Sequence, residues 1–312
     1  MKKISIVSGC YNEEGNLREL YNRLRAVLAK FPQYDYEIII ADNLSSDGSR
    51  EILRQIASED KKFKVIFNAN NFGHIRSPYN AFLQAKGDAV ILMCSDLQEP
   101  PETLEQFIEQ WEAGYDVVAG VRSGTKEGFI MPIFRAIYYK LLGAVSETPD
   151  LLHGFTGFGL YDRKFVEALK KFHEPYPYFR GLVSEIGFKR TEVLFVQDKR
   201  KHGITKNNFF TLYDMAMTGF VNHSKLPLRM AIYFGFFAGF ASFIIAMGYL
   251  IAKLVWWDRF QLGTAPMVIG IFSFMSVQLF FIGIIGEYIG AIWTQVKNRP
   301  LVIEDEKLNF DE

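Results

Sequence analysis

Hydrophobic and polar positions along the chain change their pattern near residue 229. Before that point, short apolar runs rich in β-branched residues alternate with amphipathic segments of helical length. No charged residue occurs from position 230 to 252, or from 260 to 286. Each run exceeds the roughly 20 residues that a helix needs to cross about 30 Å of hydrocarbon. The pattern predicts an α/β unit followed by two transmembrane helices.

The alternating part predicts a doubly wound, mainly parallel sheet with short connections. The predicted strands cover residues 4–7, 37–41, 64–67, 89–93 and 117–119, and the predicted helices include 13–29, 47–58 and 78–86. Ligands of such sheets bind outside the carboxyl ends of the strands. The residues that follow each strand are therefore the first candidates for a functional site.

The predicted domain organisation is that of a membrane-anchored protein. The divisions are a catalytic or binding domain at 1–206, a juxtamembrane amphipathic helix at 207–229, transmembrane helices at 230–255 and 265–293, and a tail at 294–312. A second amphipathic helix, near 130–145, is expected in the headgroup plane. A buried core hairpin and packed core faces are the alternatives. Trp256, Trp257 and Trp293 favour the membrane, because they fall where interfacial aromatic belts occur.

Composition narrows the class of partner and the compartment. A formal net charge of +0, with no basic stretch interleaved with aromatics, argues against a nucleic-acid partner. The two cysteines, Cys10 and Cys94, are too few for a disulfide framework or a thiolate zinc site. The apolar run after Lys3 is too short for a signal peptide. We therefore expect a multi-pass membrane protein with its catalytic domain and both termini in the cytosol.

Polar clusters follow three of the predicted strands, at residues 11–14, 42–48 and 94–99. Asp, Asn and Ser also cap helices, and capping is the preferred interpretation for Ser46 and Asp47. Asp42 and Asp96 come directly after apolar strands, and for these two we prefer ligand binding.

Several motifs in order resemble the inverting glycosyltransferases of family 2, and within it the polyprenyl-phosphate hexosyltransferases such as dolichyl-phosphate mannose synthase and bactoprenol glucosyltransferase. The resemblance covers nearly the whole chain and implies a GT-A type fold. The residues that carry it are 11–14 (Tyr-Asn-Glu-Glu), 96–102 (Asp-Leu-Gln-Glu-Pro-Pro-Glu), 114–122, 203–206 (Gly-Ile-Thr-Lys), 284–290 and 296–300.

The resemblance implies transfer of a hexose, with glucose as the default, from a nucleotide sugar to the phosphate of a membrane polyprenyl phosphate. Asp96 and Gln98 match positions that bind a divalent metal, Mg²⁺ or Mn²⁺, which would neutralise the leaving diphosphate. Asp42 matches the residue facing the base and ribose, with Asn12 and Glu13 lining the same pocket. A UDP-hexose is the expected donor.

Basic residues complete the implied site. Arg122 and Arg135 match arginines that clamp the acceptor phosphate, and with Asp96 they form the predicted catalytic set. Arg200 and Lys206 are expected on a loop that closes over the diphosphate. Snorkelling of Arg135 at a helix surface, and a solvated charge run around Arg200, are the structural alternatives. The resemblance also implies a location in the bacterial inner membrane and a homo-oligomer, for which a tetramer is one option.

The chain departs from the family pattern at three acidic positions. Cys94 replaces the first Asp of Asp-x-Asp, Asn43 replaces the second Asp after strand two, and Gly157 replaces the Asp of Gly-Asp-Phe. An altered donor specificity is the preferred interpretation. The rivals are a noncatalytic nucleotide-sugar-binding protein that partners an active homologue or a flippase, and a processive synthase, which usually needs more spans.

Overall fold

The structure of the protein is a computed structural model that describes residues 1–123, 154–172, 174, 176–198, 226–255, 264–297 and 299–310. The helix predicted at 130–145 and the sites predicted at Arg135, Arg200 and Lys206 lie outside the described residues. The same holds for residues 207–225 of the predicted juxtamembrane helix. These assignments stay predictions.

One mixed sheet organises the described part of the chain before residue 199 and reaches into the tail. Its strands are β1 (Lys3–Cys10), β2 (Asp35–Asp42), β3 (Phe63–Asn68), β4 (Ala89–Cys94), β5 (Val117–Arg122), β6 (Phe155–Asp162), β7 (Arg190–Phe195) and β8 (Glu304–Leu308). The order is β7-β5-β6-β4-β1-β2-β3-β8. Strand β6 is antiparallel to both of its neighbours, β8 is antiparallel to β3, and the remaining pairs are parallel.

Helices lie in the connections between successive strands. They are α1 (Glu14–Leu28), α2 (Ser49–Glu59), α3 (Gly73–Gln84), α4 (Thr103–Glu112), α5 (Arg163–Leu169), α6 (Phe179–Ile186), α7 (Leu226–Val255) and α8 (Thr264–Val296).

The sheet carries a hydrophobic core on each face. Successive side chains of a strand point to opposite faces, so Ile38 and Ile40 of β2 pack with α1, α2 and α4. Ile39 and Ala41 pack with α3, α5 and α6 on the other face. The doubly wound α/β class predicted from the alternating pattern is therefore confirmed, with β6 and β8 making the sheet mixed.

The predicted elements before residue 123 are confirmed in kind, and the largest difference in a boundary is at the start of α3. Helix α3 begins at Gly73, although the sequence suggested a start at Pro78. Proline lacks an N–H and leaves the carbonyl of His74 without its usual helical partner. Pro78 packs closely against β1, because a Cβ built on Gly9 would lie 3.3 Å from the Pro78 Cβ. We attribute the tolerance of an interior proline to this packing.

The segment 299–310, which we call the tail segment, docks on the free edge of β3. No helix or strand was predicted for this segment. Arg54 of α2 donates to both carboxylate oxygens of Glu306, at 2.7 and 2.6 Å. The Asn309 side chain donates to the carbonyls of Ala57 at 2.7 Å and Phe63 at 2.8 Å. The end of the chain is thereby joined to the sheet built by its first part.

Helices α7 and α8 are long and expose apolar side chains, among them Phe236 at 69% and Phe280 at 66%. They contact each other, with the rings of Phe234 and Phe281 5.2 Å apart. Within the described residues, one stretch, Val277–Val296, is long and apolar enough to cross a membrane, with a mean hydropathy of 1.5. Leu228–Ala238 is a shorter apolar stretch. Two helices are present where two were predicted, and their crossing of a bilayer stays a prediction.

Asn309 gives a test of the tail segment. Its φ of 60° is one that glycine adopts freely, so Asn309→Gly removes the side-chain hydrogen bonds without adding backbone strain. We expect a loss of about 1–3 kcal/mol in unfolding free energy, because buried carbonyls lose their donor. Thermal unfolding of the full chain in detergent measures it. Arg54→Ala, which breaks an exposed ion pair, should cost about 1 kcal/mol or less. An unchanged melting temperature for Asn309→Gly would contradict the docking.

Candidate active site

The carboxyl ends of β1, β2 and β4 lie side by side. Cys10 of β1 is in register with Asp42 of β2, and Gly9 is in register with Cys94 of β4. Neighbouring strands are about 5 Å apart, so Asp42 and Cys94 flank the end of β1 at a separation of about 10 Å. The strand order therefore brings together the polar clusters that the sequence placed after separate strands.

Asp42 is fully buried at this edge. Its Oδ2 accepts from the Ser45 N–H at 3.3 Å and lies 3.4 Å from the Arg50 Nε. Its Oδ1 is buried and accepts no hydrogen bond in the structure. Burial raises the pKa of Asp42, although the Ser45 bonds and the charge of Arg50 oppose that shift. A buried acceptor atom without a donor is costly, so Asp42 is suited to receive a donor from a ligand.

Asn12 and Glu13 support the loop between β2 and α2. The Asn12 N–H donates to the Ser45 Oγ at 2.9 Å, and its Oδ1 accepts from the Ser46 N–H at 2.8 Å. The Glu13 carboxylate accepts from the Asn16 side chain at 2.6 Å. The structure therefore places both residues beside the segment that follows Asp42, and hydrogen bonds from Asn12 and from the Glu13 N–H to Ser49 hold that segment in position.

Asn43 is held by both halves of its amide, which gives a physical reason for one departure from the family pattern. Its Nδ2 donates to the Asn71 Oδ1 at 2.7 Å and the Gly73 carbonyl at 3.2 Å. Its Oδ1 accepts from the Phe72 N–H at 2.8 Å. An ionised aspartate has no hydrogen to donate, so it could not make the first two bonds. Asparagine at this position orders the entry to α3.

Asp96 and Gln98 lie in a tight turn after β4. The Asp96 Oδ1 accepts from the Gln98 N–H at 3.2 Å, and both residues are half-buried. Between them, Leu97 adopts a φ of 58° while only 2% exposed. A leucine in the left-handed region is unusual, and burial of its side chain holds the turn in one conformation.

Glu99 and Arg122 share a cluster with Cys94 and Asp96. The Glu99 carboxylate accepts from the Cys94 N–H at 2.8 Å and the Thr156 hydroxyl at 3.0 Å. Burial raises the pKa of Glu99 to about 7, against the opposing effect of these donors and of Arg122. The negative charge of Glu99, followed by burial, raises the pKa of the Cys94 thiol.

The donor atoms near Asp96 fit a divalent cation that is shared with a substrate. Mg²⁺ is commonly held by one or two carboxylates together with phosphates and water. The Asp96 carboxylate and the Gln98 amide oxygen are hard donors of that kind. In the part of the chain that the structure describes, no group of three or more His, Cys, Asp or Glu side chains could hold a metal. The site therefore suits a diphosphate-bound cation better than a cage made by protein alone.

Gly157 is another departure from the family pattern. Its backbone conformation explains why glycine occupies this position. Its φ is +100°, a conformation that residues with a side chain rarely adopt. A Cβ there would lie 3.5 Å from the Phe179 ring, so backbone conformation and not space is the obstacle. An aspartate at this position would be strained.

Some functional residues of this edge were missed by the sequence analysis. Glu99 was quoted in a motif without a role, and Arg50, Ser45 and Thr156 were not considered as partners of the site. Their positions depend on contacts between separate loops, which no spacing along the chain reveals. A glutamate directly after the Asp96 and Gln98 pair was the available signal for Glu99.

The fold and the polar residues at this edge are typical of α/β enzymes, which bind their ligands at the carboxyl ends of the strands. Residues 5–170 match the family described as Glycosyl transferase family 2. The chain belongs to that family and is a glycosyltransferase of the GT-A type.

Relatives match it over nearly its full length. It is 36% identical over 308 residues to the "Uncharacterized glycosyltransferase YkcC" of Bacillus subtilis, covering 98% of this chain and 94% of the relative. It is 33% identical over 302 residues to the "SfII prophage-derived bactoprenol glucosyl transferase" of Shigella flexneri, covering 96% and 97%. A solved mannosyltransferase, PcManGT from Pyrobaculum calidifontis with GDP-Man and Mn²⁺, matches at 16% identity with a TM-score of 0.47, covering 95% and 87%.

Gly157→Asp tests the structural account of the missing acid. We expect a loss of about 1–3 kcal/mol in unfolding free energy, because the fold would hold a residue with a side chain in a left-handed backbone conformation. Gly157→Ala is the matched control, since it adds the same strain without charge and should lose a similar amount. Thermal unfolding of the two variants is compared. Full stability of Gly157→Asp would contradict the account.

Proposed function

We propose that the protein moves a hexose, with glucose as the default, from a nucleotide sugar to the phosphate of a membrane polyprenyl phosphate, inverting the anomeric carbon. Membership of glycosyltransferase family 2 supports the transferase class. Relatives named bactoprenol glucosyl transferase, matched across 96% of this chain, support the lipid acceptor. The observation that carries the proposal is the carboxyl edge itself, where Asp42, whose buried Oδ1 accepts no hydrogen bond, lies across the end of β1 from the cluster of Asp96, Glu99 and Arg122.

The donor nucleotide would bind over the ends of β1 and β2. The Oδ1 of Asp42 would accept from an N–H of the base or a hydroxyl of the ribose, which would supply its missing donor. Asn12 and Glu13 would keep the surrounding loops in place. UDP is the nucleotide expected from the resemblance.

The diphosphate would extend from there toward Asp96 and Gln98. These two residues would hold Mg²⁺ or Mn²⁺, which supplies charge neutralisation for the departing diphosphate. The turn through Leu97 fixes the direction of the Asp96 carboxylate before substrate arrives. Preorganisation of this kind avoids a reorganisation cost at the moment of reaction.

The acceptor needs positioning more than activation. A phosphomonoester is already an anion near neutral pH, so it requires alignment with the anomeric carbon and balance of its charge. Arg122, at the end of β5 and beside Glu99, would supply a guanidinium for this purpose. The roles assigned to Arg135, Arg200 and Lys206 stay predictions from the resemblance.

The tail segment supports an even number of membrane crossings. Strand β8 follows α8 along the chain and pairs with β3, which precedes α7. A single crossing by α8 would put these two paired strands on opposite sides of the bilayer. The crossing by α8 therefore requires a second one, and α7, with 30 residues, is long enough to provide it. We propose a two-helix hairpin that anchors a cytosolic domain at the inner membrane, with homo-oligomerisation also expected.

The chemical proposal is tested by transfer with purified protein in detergent, using short polyprenyl phosphate and a panel of nucleotide sugars. We expect a lipid-linked product from one donor and its loss with chelator. Asp96→Ala should lower the rate by about 100-fold or more, because charge stabilisation at the diphosphate is removed. Cys94→Ala, the control in the same turn, should retain most activity. Equal rates for Asp96→Ala and the wild type would contradict the metal assignment.

The wild type alone separates the rival functions in that assay. Nucleotide binding without product from any donor would favour the noncatalytic partner protein, which the three neutral positions first suggested.

The topology is tested with a membrane-impermeant maleimide on Asp258→Cys, in the connection between α7 and α8, in a Cys94→Ala background. We expect labelling from outside intact cells, because two crossings place this connection across the bilayer from the sheet. Glu51→Cys, on the exposed surface of α2, is the control and should react only in inverted vesicles. Labelling of both positions from the same side would contradict the hairpin.

A further inference from the structure

Strand β8 contains a β-bulge where it pairs with β3. Phe67 of β3 is in register with Glu306, whereas the next residue, Asn68, is in register with Glu304. Asp305 is therefore the extra residue of the bulge, and an extra residue changes the face to which the following side chains point. Glu304 contacts α3 on one face of the sheet, and Glu306 contacts α2 on the other. Without the bulge, positions 304 and 306 would share a face.

Two arginines of α2 face this bulge. The Arg54 guanidinium donates to both carboxylate oxygens of Glu306, at 2.7 and 2.6 Å. One turn earlier, the Arg50 Nη2 lies 3.8 Å from the Oδ2 of Asp305. Both guanidinium groups also stack on the buried Phe67 ring, with the central carbons of Arg50 and Arg54 at 4.7 and 4.4 Å from its centroid. The ring and the two acids, which we call the bulge acids, offset the repulsion between like charges four residues apart on a helix.

The other side of Arg50 faces Asp42 of the candidate site. Asp42 is in register with Phe67, so the ring that carries the arginines belongs to the strand directly beside it. The Arg50 Nε is 3.4 Å from the Asp42 Oδ2, and this nitrogen donates a hydrogen bond to none of the residues that the structure describes. Hydrogen bonds between a guanidinium and a carboxylate are commonly about 2.7–2.9 Å long. Arg50 therefore lies next to a buried carboxylate without closing on it.

The position of Arg50 decides which oxygens of Asp42 a ligand can reach. A guanidinium can bind both oxygens of one carboxylate. Closure of Arg50 in that way would occupy the Asp42 Oδ1, to which no described residue donates. Asp305 attracts the guanidinium in the other direction, because β8 lies across β3 from β2. The tail segment therefore opposes closure and keeps the acceptor available.

We propose that the tail segment keeps the nucleotide site open, because the bulge acids hold Arg50 away from Asp42. Arg50 is a positioning residue, since it affects a bound nucleotide through Asp42. The consequence for nucleotide affinity rests on the proposed function. The segment that follows the two apolar helices is thereby coupled to binding of the donor.

Neutralisation of the bulge acids tests the proposal. One variant carries Asp305→Asn and Glu306→Gln, which preserve side-chain size and remove both charges. Arg50→Met, and a triple variant with all three changes, complete a mutant cycle. Glu304→Gln is the matched control, because Glu304 binds side chains of α3 on the opposite face of the sheet. The control removes a tail charge without changing the charges that face α2.

UDP affinity is measured by titration calorimetry for each full-length protein in detergent. We expect the variant without the bulge acids to bind UDP about 10-fold more weakly, because Arg50 is then free to close on Asp42. Without Arg50 the bulge acids should have no influence, so the triple variant should bind UDP as Arg50→Met does. Glu304→Gln should bind as the wild type does. A merely structural role of the acids would instead weaken binding whether or not Arg50 is present.

Two results of the titration would overturn the proposal. One is wild-type affinity in the variant without the bulge acids, and the other is an equal loss of affinity with and without Arg50.

Thermal unfolding of the same cycle without nucleotide gives an independent readout. We expect the melting-temperature shifts for the bulge acids and for Arg50 to be non-additive by about 2 °C or more, because groups in contact are energetically coupled. Additive shifts would also overturn the proposal. A wild type that binds no UDP would contradict the proposed donor, and the unfolding comparison would then decide this inference.

Discussion

Desolvation of carboxylates at one edge of the sheet is the constraint on which the site depends. Parallel strands bring their carboxyl ends together, and here Asp42 and Glu99 are both buried at that edge. Removing such groups from water is costly unless donors replace the water. Glu99 receives its donors from two strand ends, whereas one oxygen of Asp42 receives none. Glu99 is therefore satisfied by donors within the protein, whereas the Oδ1 of Asp42 is left without one.

The neutral residues at the site each have a physical explanation in their surroundings. Asn43 uses an amide as donor and acceptor, Gly157 provides a left-handed backbone, and Cys94 adjoins a carboxylate that arrives from the loop. Random decay of an active site gives no reason for such accommodation. The arrangement favours the proposed active enzyme over a noncatalytic protein.

Pairing of β8 with β3 extends the constraints to the two long apolar helices, α7 and α8. It returns the chain, after α8, to the sheet that the first strands build. Any crossing of a bilayer between these strands must therefore be matched by a return. The sheet edge that carries Asp42 and Asp96 and the two apolar helices are therefore linked through β8.

Sequence patterns predicted the parallel strands, the placement of Asp42 and Asp96 at their ends, and two long apolar helices. They did not predict β8, because Glu304–Leu308 is a charged sequence whose strand conformation depends on the free edge of β3. Charged residues are common on edge strands and read as a solvated tail in isolation. The hydrogen bonds of Glu99 were also not predictable from the pattern, since its partners belong to β4 and β6. Local periodicity reports which face is buried, and contacts between loops are set only by the assembled sheet.

Binding of a nucleoside diphosphate at Asp42 is the most direct test of the account. Titration calorimetry would compare UDP binding to the wild type, to Asp42→Asn and to Glu51→Gln, an exposed acid on α2. The account predicts binding to the wild type and to Glu51→Gln, with affinity about 10-fold or more weaker for Asp42→Asn, because a buried acceptor is replaced. The same affinity for all three proteins would contradict a nucleotide site at the carboxyl edge of the sheet.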